Sequence, residues 1–528
     1  MLLTYTFGLF TDLTGDSGLY ASIAKQMTES GNWLELKMNG IAYDQKPHLL
    51  FWLAGAGIQL IGNTNFAFKI FPFLFGMLGI YFTYRLGKLI YNKKTGLLAA
   101  LLMVTSQMFF LYYADYHTDS VLQTGVTLAM WQLAEWFRHK KNINFIFAFV
   151  GVGLAMLAKG PIGAVIPFFS VVTILILKHE WKQFFHPRWL IGIIIALIIV
   201  SPSLIHLYRS FGAEGIKFFF ITNNFGRITG KYVATNNSYF YYLHNIVWAL
   251  LPWTLWVLFA LFVTIKNWWR NKKADADNLF LMVGVAVLFA ILTIAKGKAP
   301  NYFFITLPFI FLLTAHYIVK KAAENQIRKK LVSMQWITIA ITLLLFAIII
   351  VLVASTGIWL AIVLLILTPV FIYAAYRSDK KTITHILLIS IWVTVALNLY
   401  LNAYVLPELY SYQGATQALE IFEKQKAEED HLYCFEIPEL QVYFEANEPV
   451  EEIKDWDRLY DVLKEPGTWV YTNEIKYKDL IQYYSFDTVF VIHHRGMNQI
   501  TPQFLHKKTR NKSLRDNYLL KCSCTKKH

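Results

Sequence analysis

Apolar residues along this chain come in long unbroken runs with short polar stretches between them as far as about Tyr404, and after that point the runs shorten and charge returns. A helix needs roughly 20 apolar residues to cross the hydrocarbon of a bilayer. Six basic clusters punctuate the runs: Arg85/Lys88/Lys93/Lys94, Arg138/Lys140/Lys141, Lys178/Lys182/Arg188, Lys266/Arg270/Lys272/Lys273, Lys320/Lys321/Arg328/Lys329/Lys330 and Arg377/Lys380/Lys381. Clusters of this kind mark cytoplasmic loops. If all six lie on that side, two spans must separate each successive pair, and two can be read every time: 97–114 and 120–137, 143–158 and 161–177, 189–208 and 241–265, 279–295 and 301–319, 334–353 and 356–376. The segment 66–84 crosses ahead of the first cluster and 382–404 returns after the last. The predicted class is an α-helical polytopic membrane protein.

Two segments are too short to span. Residues 48–62 are apolar over only about 15 positions, and counting them as a crossing would put Arg85 and Lys94 on the same side as Asp16, so they are expected to form a helix lying in the interface. The run 1–10 is short as well; the expectation is a chain that begins inside its first transmembrane helix, about thirteen spans when complete. From 406 onward, apolar runs at 431–437, 440–444, 469–471, 488–493 and 518–522 read as strands, and 413–426 and 456–464 read as helices. The domains expected are 1–405 in the membrane and a small α/β domain, 406–528, on its external side.

Composition agrees with a bilayer protein: 56% hydrophobic and 16% aromatic residues against 16% charged, with a mean hydropathy of +0.41. The net charge of +15 resides largely in the clusters between spans, which argues against nucleic-acid binding. Cys434, Cys522 and Cys524 offer no disulfide framework.

On this topology the external loops gather the unusual polar residues. The loop 11–47 holds Asp12, Asp16, Tyr20, Glu29, Glu35, Tyr43, Asp44 and Lys46; the next leads to Asp119; later loops carry Lys159, Arg227, Lys231, Lys296 and Lys298 before Tyr302. External loops are normally poor in Lys and Arg, so these cations need another reason to be there, and an anionic lipid phosphate supplies one. Each residue also has an ordinary reading. Lys159 and Lys298 suit helix-end snorkelling, Asp16 and Asp119 suit helix N-caps, and Lys46 before Pro47 suits a turn.

The run Gly15-Asp16-Ser17-Gly18-Leu19-Tyr20-Ala21, followed by Met27, Gly31, Trp33, Asn39-Gly40, Tyr43, Lys46-Pro47, Leu49 and Phe51-Trp52, resembles the first external loop of the lipid-phosphate-sugar glycosyltransferases of GT-C fold. That group includes aminoarabinose transferases acting on lipid A and protein O-mannosyltransferases. The likeness continues through Asp119, Leu157-Ala158-Lys159-Gly160-Pro161, Pro252-Trp253 and Gly297-Lys298 to Tyr302 and Pro308. It implies a catalytic carboxylate at Asp16 and a second at Asp119, and a lipid-phosphate site at Lys46, Tyr43, Tyr302 and Arg227, with Lys298 and Lys159 nearby and Tyr20 in the same loop. Three departures stand out: Ser17 replaces an acid, Leu19 an arginine, and Gln45-Lys46-Pro47-His48 a Glu-Lys-Pro-Pro motif. Gln45 removes a carboxylate that in aminoarabinose transferases helps hold zinc, and residues 209–240 contain no histidine, the nearest being His206 and His244. No cofactor is therefore required, and whether a divalent metal is used stays open.

The implied reaction is an inverting sugar transfer at the external face of a bacterial inner membrane, from a polyprenyl-phosphate-sugar donor to a lipid, glycan or protein acceptor. Such chemistry needs a carboxylate beside the nucleophile and cations beside the departing phosphate. The alternatives are a transporter or flippase of lipid-linked sugars, disfavoured by the lack of paired broken helices and mid-membrane charge, and a function seated wholly in the C-terminal domain.

Overall fold

The computed structural model describes residues 1–271, 275–324, 329–378, 382–437, 439–497 and 500–526. Lys272, Lys273, Arg328, Lys380 and Lys381 of the basic clusters lie outside the described residues, as does the side chain of Cys524. Among the described residues eight helices are long and apolar enough to cross a membrane, or nine if one bent pair is a single span. They are Asn65–Ile90, Asn142–Lys159, the run 181–229, Ala276–Ile294, Pro300–Ala323, Lys329–Val353, Ile358–Arg377 and Ile383–Tyr410, together with the pair Lys93–Val104 and Gln107–Tyr113. The chain is a multi-pass membrane protein with a small C-terminal sheet. Shorter helices cover Leu2–Phe10 and Leu49–Ile61.

Two expected spans are broken, for a shared reason. The segment 97–114 bends by 64° between Val104 and Gln107, and 241–265 is interrupted between Tyr241–Ala249 and Thr254–Asn271, where the Leu251–Pro252 bond is cis. The two breaks face each other. The Gln107 amide donates to the Leu251 carbonyl at 2.8 Å, and Trp253 Nε1 donates to Thr105 Oγ1 at 3.0 Å. Backbone groups freed in a medium without water are thereby paired across two helices. The stretch 209–240, read from sequence as a loop, is partly helical: Arg188–Lys217 kinks at Gly212, passes through a π-turn at Phe218–Thr222 and re-forms as Asn223–Thr229.

In the C-terminal region five strands pair in the order Glu451–Ile453, His431–Phe435, Thr468–Asn473, Arg515–Lys526, Tyr484–His494, parallel across the first three and antiparallel across the last two junctions. Alternation of side chains splits the strand His431–Phe435 between two cores. Leu432 and Cys434 pack with Leu419 and Phe422 of the helix Gly414–Gln425 on one face, and Tyr433 and Phe435 pack with Leu459 and Val462 on the other. Residues 440–444, expected as a strand, lie in a turn and the short helix Gln441–Glu445 instead, because they cross to the membrane part. Ser22 Oγ donates to the Leu440 carbonyl at 3.1 Å, Lys25 Nζ to the Ala446 carbonyl at 2.6 Å and Asn63 Nδ2 to the Phe444 carbonyl at 2.8 Å.

A second tie joins the C-terminal region to the turn between two spans. Glu408 accepts from the amides of Ser355 (2.9 Å) and Thr356 (3.1 Å), and Arg510, buried, pairs with Glu408 while donating to the Val353 carbonyl at 2.6 Å and the Phe504 carbonyl at 3.0 Å. Removing one partner of a buried ion pair strands the other charge, at about 3–5 kcal/mol. Arg510→Met is therefore expected to lower the thermal midpoint of the detergent-solubilised protein by several degrees, whereas Lys464→Met, which breaks the exposed Lys464–Asp461 pair, leaves it unchanged. Equal midpoints for the two variants would refute the tie.

Candidate active site

The first loop is folded by local signals. Gly15 at φ 55° turns the chain into the helix Asp16–Ser30, and Asp16, in the first turn, is favoured by the positive end of the helix dipole. Its carboxylate is exposed and has no hydrogen-bond partner among the described residues. Ser17, beside it, is buried and donates to Asp115 Oδ1 at 2.7 Å, fixing the helix start against the second loop. Further on, a two-stranded hairpin pairs Lys37–Met38 with Ile41–Ala42. Its turn is Asn39-Gly40, both at positive φ (49° and 78°), the pair that a two-residue hairpin prefers. After the hairpin Tyr43 and Pro47 are buried and Lys46 between them is half-buried, while Gln45 is exposed.

These residues are held by neighbours from a distant helix. The Tyr43 carbonyl accepts from His206 Nε2 at 2.9 Å. His48 Nδ1 lies 2.8 Å from Ser203 Oγ, and His48 Nε2 lies 3.2 Å from the Leu34 carbonyl. Between them, Lys46 is drawn into a cavity whose polar lining includes Gln45, Lys46, Asp119, Lys159, Arg227 and Tyr302.

Charge in this cavity is unbalanced. Asp119, 1% exposed, accepts from Lys159 Nζ at 2.6 Å and from Asn301 Nδ2 at 2.7 Å, so both carboxylate oxygens are engaged. The Lys159 ammonium also sits 4.4 Å from the Tyr302 ring centroid. Arg227 Nη1 donates to the Tyr302 hydroxyl at 2.9 Å and its Nε to Asn223 Oδ1 at 2.8 Å. Lys46 Nζ lies 6.0 Å from the Tyr20 ring centroid. Three cations thus share the space with one buried carboxylate. Burial, and then repulsion from Lys159 and Arg227, push the Lys46 ammonium down to about 7, against the opposing pull of Asp16 and Asp119. The Tyr43 and Tyr20 phenols, both buried, are raised well above their usual value by burial first, then by carboxylates and neighbouring phenols, and remain neutral donors. A cavity of this kind attracts an anion with several acceptor oxygens.

The structure brings together Lys46, Lys159, Arg227, Tyr302 and Asp119, with Tyr20 and Asp16 close enough to act on the same charges. Two residues stand apart: Tyr43, which does not line the cavity although Asp16 and Arg227 lie within electrostatic reach of its phenol, and Lys298. Lys298 Nζ donates to the carbonyls of Ser238 (2.6 Å) and Thr293 (2.8 Å), and its backbone pairs twice with Thr235 Oγ1, so it locks the loop before Tyr302 and does not line the cavity. Sequence reasoning missed Asn301, Asn223, Asp115 and Ser203. The amides and the hydroxyl carry no charge pattern, Asp115 shows its part only through its distant partner Ser17, and only the adjacency of Asn301 to Tyr302 hints at a role.

A zinc site of the kind the resemblance implies does not fit these residues. Gln45 offers an amide in place of a carboxylate, both ring nitrogens of His48 are within hydrogen-bond reach of protein oxygens, and His206 Nε2 bonds the Tyr43 carbonyl. No group of three His, Cys, Asp or Glu side chains with metal-holding geometry occurs among the described residues.

Comparison with known proteins bears on this architecture. Residues 45–206 match the family described as dolichyl-phosphate-mannose-protein mannosyltransferase. The chain is 26% identical over 346 residues to an uncharacterized protein of Aquifex aeolicus, covering 65% of this chain and 67% of that one. It is 24% identical over 337 residues to undecaprenyl phosphate-alpha-4-amino-4-deoxy-L-arabinose arabinosyl transferase 2 of Proteus mirabilis, covering 62% of this chain and 59% of that one. The match thus spans under two thirds of the length of that transferase. Among solved structures, ArnT from Cupriavidus metallidurans bound to undecaprenyl phosphate superposes with a TM-score of 0.77 at 16% identity, covering 99% of this chain and 96% of that one; its apo state gives 0.74 at 18% identity. The bundle of spans, the folded first loop and the C-terminal sheet together give this chain a GT-C fold of the aminoarabinose-transferase type.

Proposed function

We propose that the protein transfers a sugar from a polyprenyl-phosphate donor to a hydroxyl-bearing acceptor, a lipid A type glycolipid, another glycan or a protein, at the extracytoplasmic face of a bacterial inner membrane. In this reading 1–405 is the membrane transferase and 406–528 an extracytoplasmic domain. The observation that carries it is the meeting of Lys46, Lys159 and Arg227 in one cavity with an exposed, unengaged carboxylate, Asp16, within electrostatic reach.

In the proposed step Asp16 takes the proton of the acceptor hydroxyl as its oxygen bonds to the anomeric carbon. The bond from that carbon to the phosphate oxygen breaks on the opposite face, its electron pair leaving with the phosphate and the configuration inverting. Lys46 and Arg227 neutralise the charge that grows on the phosphate, and the Tyr302 and Tyr43 hydroxyls donate to it. Asp119 acts at one remove: with both oxygens engaged, it holds the Lys159 ammonium and Asn301 in place. The donor is a phosphodiester that leaves as a monoester, so charge at the cavity rises in the reaction and the cations favour the transition state over the bound donor. No step needs a metal. The relatives with assigned activity carry transferase names; the two broken spans, which the sequence did not foresee, pair with each other through Gln107 and Trp253 and do not line the cation cavity, so they supply no carrier site there.

Asp16→Asn is expected to reduce turnover by about 10²–10⁴-fold while undecaprenyl phosphate binding, read by native mass spectrometry, persists; full turnover in this variant would remove Asp16 from the chemistry. A second expectation follows from Lys46. A lysine is charged below its pKa, and the donor diester keeps one negative charge throughout the neutral range. Donor affinity should therefore be greatest below pH 7 and weaken by up to about tenfold per unit above it, and this slope should vanish in Lys46→Met. A pH-independent wild-type affinity between pH 6 and 9 would show that Lys46 is not the phosphate ligand.

A further inference from the structure

A second cavity lies where the C-terminal region meets the start of the helix Asp16–Ser30. Its wall includes Asp16 on one side and Gln413, Gly414, Glu439, Gln441 and Gly496 on the other, and it shares no lining residue with the cation cavity. Its polar wall is built. Glu439 Oε2 accepts from the Tyr471 hydroxyl at 2.9 Å, and Oε1 accepts from Asn517 Nδ2 at 2.9 Å and faces His494 Nδ1 at 3.0 Å. Gly414 permits this approach, since a Cβ there would strike the Tyr471 hydroxyl and stand 3.0 Å from Glu439 Oε2. Gln441 Nε2 donates to Gln413 Oε1 at 2.6 Å. Gln413 is 3% exposed and its Nε2 has no hydrogen-bond partner among the described residues.

The chemistry of this wall is mixed. Asp16 and Glu439 accept, Gln413 and Gln441 both donate and accept, and the helix Gly414–Gln425 begins here without a side-chain cap, leaving backbone donors at its first turn. Two carboxylates repel an anion, and the helix terminus disfavours a cation. A cluster of hydroxyls, each able to donate to a carboxylate and accept from an amide, satisfies both kinds of wall, and Leu440 and Met497 add apolar surface for the carbon face of a ring. A single serine or threonine hydroxyl would leave most of these groups unmatched.

We infer that this cavity is a saccharide subsite: the C-terminal region holds a sugar ring of a glycan acceptor and presents one of its hydroxyls to Asp16. The inference rests on the transfer reading above and deepens it, making the acceptor a carbohydrate and the C-terminal sheet region part of the active site. The cation cavity holds the phosphate, this one holds hydroxyls, and Asp16, on the wall of the second, lies within electrostatic reach of Lys46 in the first.

The test uses the full-length chain in nanodiscs. Saturation-transfer NMR would follow binding of maltose, lactose and chitobiose, with the peptide Ala-Thr-Ala as comparison, and native mass spectrometry would follow undecaprenyl phosphate. Two variants probe the wall: Gly496→Trp, which fills it because nothing lies within 4 Å of a Cβ built at Gly496, and Gln441→Ala, which deletes an amide. At least one disaccharide should bind the wild type saturably and weaken by about tenfold or more in both variants, with undecaprenyl phosphate affinity unchanged and no saturable peptide binding. If Gly496→Trp also loses the lipid, Gln441→Ala decides. Disaccharide binding equal in wild type and Gln441→Ala, no disaccharide bound by wild type, or peptide binding lost in the same variants would each overturn the subsite. Failure of the wild type to bind undecaprenyl phosphate would instead overturn the transfer reading.

Discussion

One constraint organises this protein: Lys46, Lys159 and Arg227 are kept together in a cavity that offers a single buried carboxylate, Asp119. Burying charge without a partner is costly, and burying like charges together adds repulsion that water would otherwise screen. The protein tolerates the arrangement by distributing the load. Lys159 has the Asp119 oxygen and the Tyr302 ring, Arg227 has Asn223 and the Tyr302 hydroxyl, and Lys46, beside the Tyr20 ring, is displaced toward neutrality near pH 7. An arrangement held at such cost is resolved by an anion with several oxygens. A phosphate supplies this charge and geometry, and a lipid tail places it at membrane depth.

The rest of the fold supports that cavity. Lys159 ends the span Asn142–Lys159 and Asp119 lies in the first turn of the helix Thr118–His139, so their ion pair joins two helix termini. Arg227 is carried in by the re-formed helix after the π-turn, and its carbonyl accepts from the Lys296 and Gly297 amides at 3.1 and 2.9 Å, closing the loop that leads to Tyr302. His206 and Ser203, on the long kinked helix, grip the strand of chain around Lys46 from the other side. The C-terminal region is tied down at two separate places, through Arg510–Glu408 and through the carbonyls that Ser22, Lys25 and Asn63 reach. Docked so, it contributes Glu439 and Gln441 beside Asp16.

The sequence made the membrane character and the position of most spans legible because hydropathy reports burial in lipid directly, and the resemblance carried by Asp16, Lys46, Asp119 and Tyr302 located the charged cluster. Hydropathy did not reveal the breaks at Thr105 and Pro252, since each depends on a hydrogen bond to the other, far away in the chain. Lys298 shows the converse: as a cation shortly before Tyr302 it looks like a phosphate ligand, yet the carbonyls of Ser238 and Thr293 satisfy it. Asp119 is similar, its two oxygens already engaged by Lys159 and Asn301. Residues 440–444 have strand-like composition, but tertiary contact with the first loop makes them part of a turn and helix. Glu439 and Gln441 were invisible for a similar reason, since nothing local distinguishes a polar residue that faces a cavity from one that faces water.

The most direct measurement is a structure of the full chain in a nanodisc with undecaprenyl phosphate. The account predicts density for the phosphate within hydrogen-bond distance of Lys46 and Arg227 and beside the Tyr302 hydroxyl, with the Asp119–Lys159 pair intact. A phosphate seated elsewhere, with the three cations unchanged and facing water, would contradict it.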